Sequence, residues 1–161
     1  WEVTERAEER LAPVDCNDVL AKTLFNLQTA IVQSGAIVTS DPLPTLVAEE
    51  VMLTQLFQNL IANSIKYRGE ETPRIHVSAE RNAGGWLLSV RDNGVGIDPK
   101  DAEHVFGMFR RLHGPDIPGT GIGLALCRKI VERHGGRIWV ESEKGRGAAL
   151  RFLIGARHNG P

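Results

Sequence analysis

Two stretches of this chain alternate as strand pairs, while the segments between them repeat with helical period. That order constrains the fold more than any other feature. In the first pair Ile75, Val77 and Ala79 alternate with Arg74, His76, Ser78 and Glu80, and Asn82-Ala83-Gly84-Gly85 turns the chain into residues 86–91. In the second, residues 137–142 and 148–154 are joined through Glu143-Lys144-Gly145-Arg146-Gly147. Hairpins separated by helices, without repeated strand-helix-strand alternation, predict an α+β domain: a largely antiparallel sheet covered on one face.

The helical segments can be placed from their apolar spacing. Asn17 can cap a helix running to Ser34, with Val19, Leu20, Leu24, Leu27 and Ile31 on one face. Gly35 stops it, and residues 36–39 read as a short strand before the Asp41-Pro42-Leu43-Pro44 loop. A second helix covers residues 49–67, with Met52, Leu53, Leu56, Phe57, Leu60, Ile61 and Ser64 in one stripe and Arg68-Gly69 at its end. Residues 92–118 read as a loop-rich stretch with a short helix. A third long helix follows over residues 120–134 and halts at Gly135-Gly136.

A chain of 161 residues can enclose one sizeable core. Its 19 basic and 20 acidic residues give a net charge of −1, so there is no broad electrostatic footprint for nucleic acid or membrane. Apolar runs last only a few residues, far short of a bilayer span. Cys16 and Cys127 have no metal or redox spacing, which predicts small core residues in a reducing compartment. Residues 1–12 read as the end of a preceding helix or a linker, residues 13–155 as the domain, and residues 156–161 as a frayed tail.

Three runs carry polar chemistry. Gln55, Asn59, Asn63 and Lys66 fall on one helical stripe, and two asparagines in mid-helix run against propensity. They form either a plain solvent-facing stripe or a set of amide oxygens for a hard cation, with Lys66 as a point charge on phosphate. Asp92-Asn93-Gly94-Val95-Gly96-Ile97 ends a strand on an acid. It is either a turn former or a site where Asp92 accepts from an exocyclic amine such as that of adenine. Gly119-Thr120-Gly121-Ile122-Gly123-Leu124 opens a helix, where N–H groups and the dipole favour an anion. A P-loop is excluded, because Thr120-Gly121 stands where Lys-Ser/Thr is required. The dinucleotide fingerprint fails on its glycine spacing and on the lack of a preceding strand. Between these runs Phe106 and Phe109 suggest an apolar anchor. The basic loop after them can bring Arg110 or Arg111 to phosphate, or can be a solvated loop over a core staple.

Together these runs resemble the catalytic ATP-binding domain of bacterial sensor histidine kinases, within the GHKL superfamily of gyrase, heat-shock chaperone, histidine kinase and MutL. The similarity covers residues 14–154: an asparagine box at 58–67, glycine boxes at 92–97 and 119–124, a phenylalanine box at 106–109, and the glycine pair Gly145 and Gly147. Arg68-Gly69-Glu70-Glu71 and Arg111-Leu112-His113-Gly114 are most similar to the phytochrome and PAS-sensor kinases. The resemblance implies a two-layer α/β sandwich, with a mixed, mostly antiparallel sheet of about five strands and three helices on one face. It implies ATP and Mg²⁺ as ligands, with Asn63 on the metal and Asn59 near the phosphates. Lys66 and Arg111 would meet phosphate, and Tyr67 would lie by the base or ribose. Asp92 would bind the adenine amine, with Gly94, Gly96, Ile97 and Phe109 shaping the pocket. Residues 107–118 would form a lid hinged on Gly119, Thr120, Gly121, Ile122 and Gly123, with Leu124 also counted among the nucleotide-binding residues.

The resemblance further implies transfer of the γ-phosphate to a histidine on a separate helical-hairpin domain of the same or a partner chain. A response regulator would lie downstream, and a cytoplasmic, homodimeric whole protein would contain this monomeric piece. The phosphoacceptor is expected outside this chain, because none of His76, His104, His113, His134 and His158 is followed by the acidic residue that marks it. Two departures stand out. ATPases of the superfamily carry a glutamate as general base where this chain has Asn59, an amide that cannot accept a proton at neutral pH. Ala148 follows the third glycine pair in place of the common threonine, which is expected to alter packing only slightly.

Overall fold

The computed structural model describes residues 11–83, 85–96, 122–142 and 147–154. Their elements, in chain order, are β1 (Ala12–Asp15), α1 (Cys16–Asn26), α2 (Gln28–Ser34), β2 (Ile37–Ser40), β3 (Thr45–Ala48), α3 (Glu50–Lys66), β4 (Arg74–Asn82), β5 (Gly85–Asp92), α4 (Ile122–Arg133), β6 (Ile138–Ser142) and β7 (Ala148–Ile154). Five strands form one sheet in the order β2-β4-β5-β7-β6, while β1 and β3 pair separately. β2 runs parallel to β4 and every other pair in the large sheet is antiparallel, so the sheet is mixed, as the resemblance implied.

Alternation decides which sheet face is buried. Ile75 and Val77 of β4, Leu88 and Val90 of β5, and Leu150, Phe152 and Ile154 of β7 share the core with the helices. Their neighbours Ser78, Ser89 and Arg151, in register across the sheet, lie on the opposite face. Helix α3 is the main cover. Leu53, Leu56, Phe57, Leu60, Ile61, Ser64 and Ile65 are buried at steps of three and four, one continuous stripe. Each large apolar side chain of that stripe contributes about 1.5–3 kcal/mol on burial. Phe57 meets Phe152 of β7 edge-on, with ring centres 6.2 Å apart.

The structure corrects three expectations. The single helix expected over residues 17–34 is broken at Leu27, giving α1 and α2 and four helical segments among the described residues. Its N-cap is Asp15, whose carboxylate accepts from the Asn17 N–H at 2.8 Å. Asn17 instead clamps the loop before β3, donating to the Leu43 carbonyl and accepting from the Leu43 N–H, each at 3.0 Å. Finally, the β1–β3 ribbon has no counterpart in the expected map. Its strands have four residues each, too short for alternation to stand out, and Ala12 pairs with Ala48 only after the intervening helices fold back.

Several boundaries match the expected pattern. Gly35 ends α2 in the left-handed region at φ 73°. Asn82 pairs with Gly85 across the β4–β5 turn, where Ala83 holds φ 38°, a strained position for a residue with a Cβ. Cys16 and Cys127 are buried free thiols, as expected of core residues. Burial pushes both up to about 12, with the charge of Asp15 adding to the effect at Cys16.

Candidate functional site

Helix α3 carries the amide stripe along the rim of its buried face. Gln55 and Lys66 are exposed, whereas Asn59 and Asn63 are half-buried between the core stripe and solvent. The Asn63 carbonyl accepts from the Tyr67 N–H at 3.0 Å, which closes the last turn and makes Tyr67 the C-cap. The Tyr67 carbonyl then accepts from the Val95 N–H at 3.1 Å. That bond joins the end of the asparagine helix to the turn after Asp92, and so brings together two motifs about thirty residues apart.

Gly94 makes the junction possible. A Cβ there would stand 2.6 Å from the Tyr67 carbonyl oxygen and 3.1 Å from Asp92 Oδ1. Asn93, next to the acid, has a structural job. Its amide accepts from the Arg74 N–H at 2.9 Å and donates to the Thr72 carbonyl at 3.0 Å, clamping the entry to β4.

Asp92 ends β5, and its Oδ1 accepts from two backbone N–H groups: Gly94 at 2.9 Å and Ala148 of β7 at 3.2 Å. In the sequence Gly147 stands out only as one of the glycine pair with Gly145, and Ala148 only as a small departure in packing. Gly147 holds φ +89° and lies so close that a Cβ would come within 2.1 Å of the Asp92 carbonyl oxygen. The glycine is what lets β7 deliver the Ala148 N–H to the acid. Desolvation raises the Asp92 carboxyl above the ordinary carboxylate value, partly offset by the Gly94 N–H, the Ser64 hydroxyl and the Ala148 N–H. Ser64 Oγ nevertheless has no partner within hydrogen-bonding geometry. Its influence is therefore that of a nearby dipole rather than a closed bond. Asp92 Oδ2 has no hydrogen-bond partner among the described residues.

The second glycine run reaches the described residues only at its end. Ile122 and Gly123 open α4, and Leu124 is buried in the core. Ile97, Phe106, Phe109, Arg110, Arg111, Gly119, Thr120 and Gly121 lie outside the described residues, as do the expected lid and the glycine Gly145. At its other end α4 is tied to the start of α3. His134 Nδ1 donates to the Ile130 carbonyl at 2.7 Å, and its Nε2 accepts from the Glu49 N–H at 3.1 Å. Those partners define a neutral imidazole with the proton on Nδ1. Glu49 in turn caps α3, accepting from the Met52 N–H at 2.8 Å. Neither residue could be singled out in the sequence, where His134 reads as a helix end.

The domain is thus a mixed sheet covered by helices, with an acid held in a glycine turn against the end of an amide-bearing helix. Residues 48–158 match the family described as histidine kinase-, DNA gyrase B-, and HSP90-like ATPase, and the chain belongs to it. Within that family it is similar to cyanobacterial phytochrome A of Nostoc sp. (strain PCC 7120), with 57% identity over 84% of this chain and 18% of that protein. The chain thus spans less than a fifth of that relative. Among solved structures, the mycobacterial sensor histidine kinase MprB aligns at a TM-score of 0.74 with 25% identity, covering 89% of this chain and 96% of that one. Full-length ShkA, solved in complex with AMPPNP, aligns at 0.77 with 29% identity over 89% of this chain and 30% of its own. These likenesses define the chain as an ATP-binding catalytic domain of the sensor histidine kinase type. Among the described residues, no helix is long and apolar enough to cross a membrane.

Proposed function

We propose that the domain binds Mg-ATP between the C-terminal half of α3 and the Asp92 turn. There it presents the γ-phosphate to a histidine supplied by a separate helical-hairpin domain, of the same or a partner chain. The observation that carries this reading is the division of labour on Asp92. One oxygen is held by the N–H groups of Gly94 and Ala148, and the other has no partner among the described residues. A carboxylate oriented in this way can accept from an exocyclic amine of a base seated against the backbone of Gly94 and Gly96.

From that anchor the triphosphate would extend along the half-buried amides of Asn59 and Asn63 toward Lys66. The donor set suits magnesium, which keeps several waters and takes few protein oxygens. Asn63 is the side chain assigned to it, and Asn59 lies one turn earlier. When bound, the ion neutralises charge on the phosphates and fixes their geometry. Lys66, with Arg111 from the lid, would add positive charge where it develops on the transferring group. Tyr67, Ile97 and Phe109 would line the base and ribose, and residues 119–123 would hinge the lid. The bond from the γ-phosphorus to the bridging oxygen breaks as one forms to the imidazole nitrogen. The base that takes the imidazole proton comes with the acceptor domain.

Asn59 favours a kinase over a hydrolase. An amide at that position cannot deprotonate water, so the γ-phosphate is kept for a protein acceptor. In the whole protein we place this domain at residues 13–155, on the cytoplasmic side, in a homodimer that signals to a response regulator. The isolated chain would be a monomer.

Calorimetric titration with ATP and magnesium tests the binding step, and silence at millimolar nucleotide would refute it. Incubation with γ-labelled ATP should leave the isolated chain unlabelled, and steady-state phosphate release should be slow. Vigorous release would favour an ATPase that uses the nucleotide for conformational work.

A further inference from the structure

From Thr23 to Ser40 the chain carries no acidic or basic residue and no histidine, although 24% of its residues are charged. The run nevertheless lies at the surface. It forms the end of α1 and all of α2 and β2. It also holds three of the four large apolar side chains exposed among the described residues: Phe25 at 67%, Val32 at 78% and Ile37 at 49%. Helix α2 has no fully buried residue, and Ala30 and Ile31 give it only half-buried contacts with the core. A helix of seven residues is marginal by itself, so its outer face has the least support from its own domain.

The break at Leu27 does not separate Phe25 from Val32. The Leu27 N–H donates to the Thr23 carbonyl at 3.0 Å and the Ile31 N–H to the Leu27 carbonyl at 2.9 Å, so helical bonds continue on both sides of it. Phe25 and Val32, about two turns apart, therefore stand on one side of a bent rod. Gln28 and Thr29 are exposed between them, and Asn26 and Gln33 beside them. The result is an apolar ridge bordered by uncharged side chains. Lys22, just before the run, is already paired with Glu50 of α3 at 3.7 Å. Without cations the ridge suits neither nucleic acid nor an anionic membrane. Charge depletion around exposed aromatic and branched side chains is the composition of the centre of a protein–protein contact.

Its place in the fold says which protein. Asn26 Nδ2 donates to Gln58 Oε1 at 3.4 Å, which ties the Phe25 end of the ridge to the residue before Asn59, at the phosphate end of the proposed site. Helices α1 and α4 pack on different flanks of α3, and the glycine run opens α4. The ridge is thus the α1-side shoulder of that site. A domain that offers an imidazole to the γ-phosphate has to rest on surface of this kind beside α3.

We propose that Phe25 and Val32 form the docking ridge for the acceptor-bearing helical hairpin, one helix of which lays an uncharged apolar stripe against them. A helix suits the ridge, because its own side chains at i and i+7 repeat the same spacing. The inference rests on the reading of the domain as the ATP-binding part of a histidine kinase. No bond forms or breaks at the ridge, which only brings the imidazole to the phosphate.

The test makes Phe25→Ser and Val32→Ser, singly and together, in the isolated chain and in the full-length protein. Both side chains are exposed, so the isolated variants should melt and bind Mg-ATP as the parent does. In the full-length protein the KM for ATP should hold, while labelling of the acceptor histidine from γ-labelled ATP should slow about tenfold or more in the double variant. Phe25→Leu and Val32→Ile, which keep the ridge apolar, should label at close to the parental rate. p-Benzoylphenylalanine placed at position 25 should crosslink to the hairpin on irradiation. Unchanged labelling in the double variant, or weaker ATP binding by its isolated chain, would overturn the docking role and leave the ATP site standing. So would a crosslink to the response regulator or to a second copy of this domain. An isolated parent that binds no Mg-ATP, or a full-length parent that labels no histidine, would overturn the reading beneath it as well.

Discussion

The Tyr67 carbonyl accepts from the Val95 N–H at 3.1 Å, and the same oxygen leaves no room for a Cβ on Gly94. Helix α3 and the Asp92 turn are therefore locked together by backbone alone, and the relative position of the amides and the acid follows from that lock. Gly94→Ala puts a Cβ 2.6 Å from a backbone oxygen that has no freedom to rotate away. It should destabilise the domain by about 1–3 kcal/mol in urea unfolding, and nucleotide affinity should fall further than stability. Binding equal to the parent would show that the lock does not position the site.

Asp92→Asn separates stability from recognition. The amide oxygen can still accept from Gly94 and Ala148, while the desolvated charge is removed. ATP affinity should drop by about 1–3 kcal/mol, as for a lost charge-assisted bond. Thermal stability of the unliganded domain should hold or rise, and a large drop in melting temperature would sink this account.

The pH dependence follows from the raised Asp92 carboxyl. The folded state holds this proton more tightly than the unfolded chain. The group's contribution is thus full below the ordinary carboxylate value and is lost as pH rises through the folded value. Nucleotide recognition runs the other way, because the ionised oxygen is the acceptor, and affinity should fall as pH drops through that same folded value. Calorimetry and denaturant midpoints measured over a pH series should show these opposite slopes, both absent in Asp92→Asn.

Gly147→Ala combines a left-handed backbone with a Cβ 2.1 Å from the Asp92 carbonyl oxygen. A cost of at least about 2 kcal/mol is expected, together with loss of the Ala148 N–H from Asp92 and weaker ATP binding. Chemical-shift changes at Asp92 in the folded variant would report that loss. Their absence would break the link between β7 and the acid.

His134→Ala should destabilise by about 2–4 kcal/mol, the joint effect of a cavity and an unpaired Glu49 N–H. Below its melting range the variant should bind ATP like the parent, since His134 stands at the far end of α3 and α4. The measurements are a urea midpoint and a titration.

Cys16 and Cys127 should resist thiol reagents in the folded state, their thiols being pushed up to about 12. Both should react at once in denaturant, and rapid labelling without denaturant would contradict their burial.

Much of this could be read along the chain. The stripe of α3, the alternation of β4, the two hairpins, the stop at Gly35 and the acid at the end of β5 are all local patterns. Periodicity of apolar residues states which face each element buries, whatever it packs against. The pairing of β1 with β3, the break at Leu27 and the parallel docking of β2 on β4 were beyond that reading. They depend on which short segments meet once the larger ones have packed. The same holds at the site. The sequence by itself determined that an amide stripe, an acid in a glycine turn and a glycine run share one chain. Only the tertiary structure decided that the Ala148 N–H reaches Asp92 from 56 residues away, or that His134 meets the Glu49 N–H across 85. The physical reason is that the donors in both contacts are backbone N–H groups. Every residue but proline has one, so no side-chain pattern marks which of them will be used.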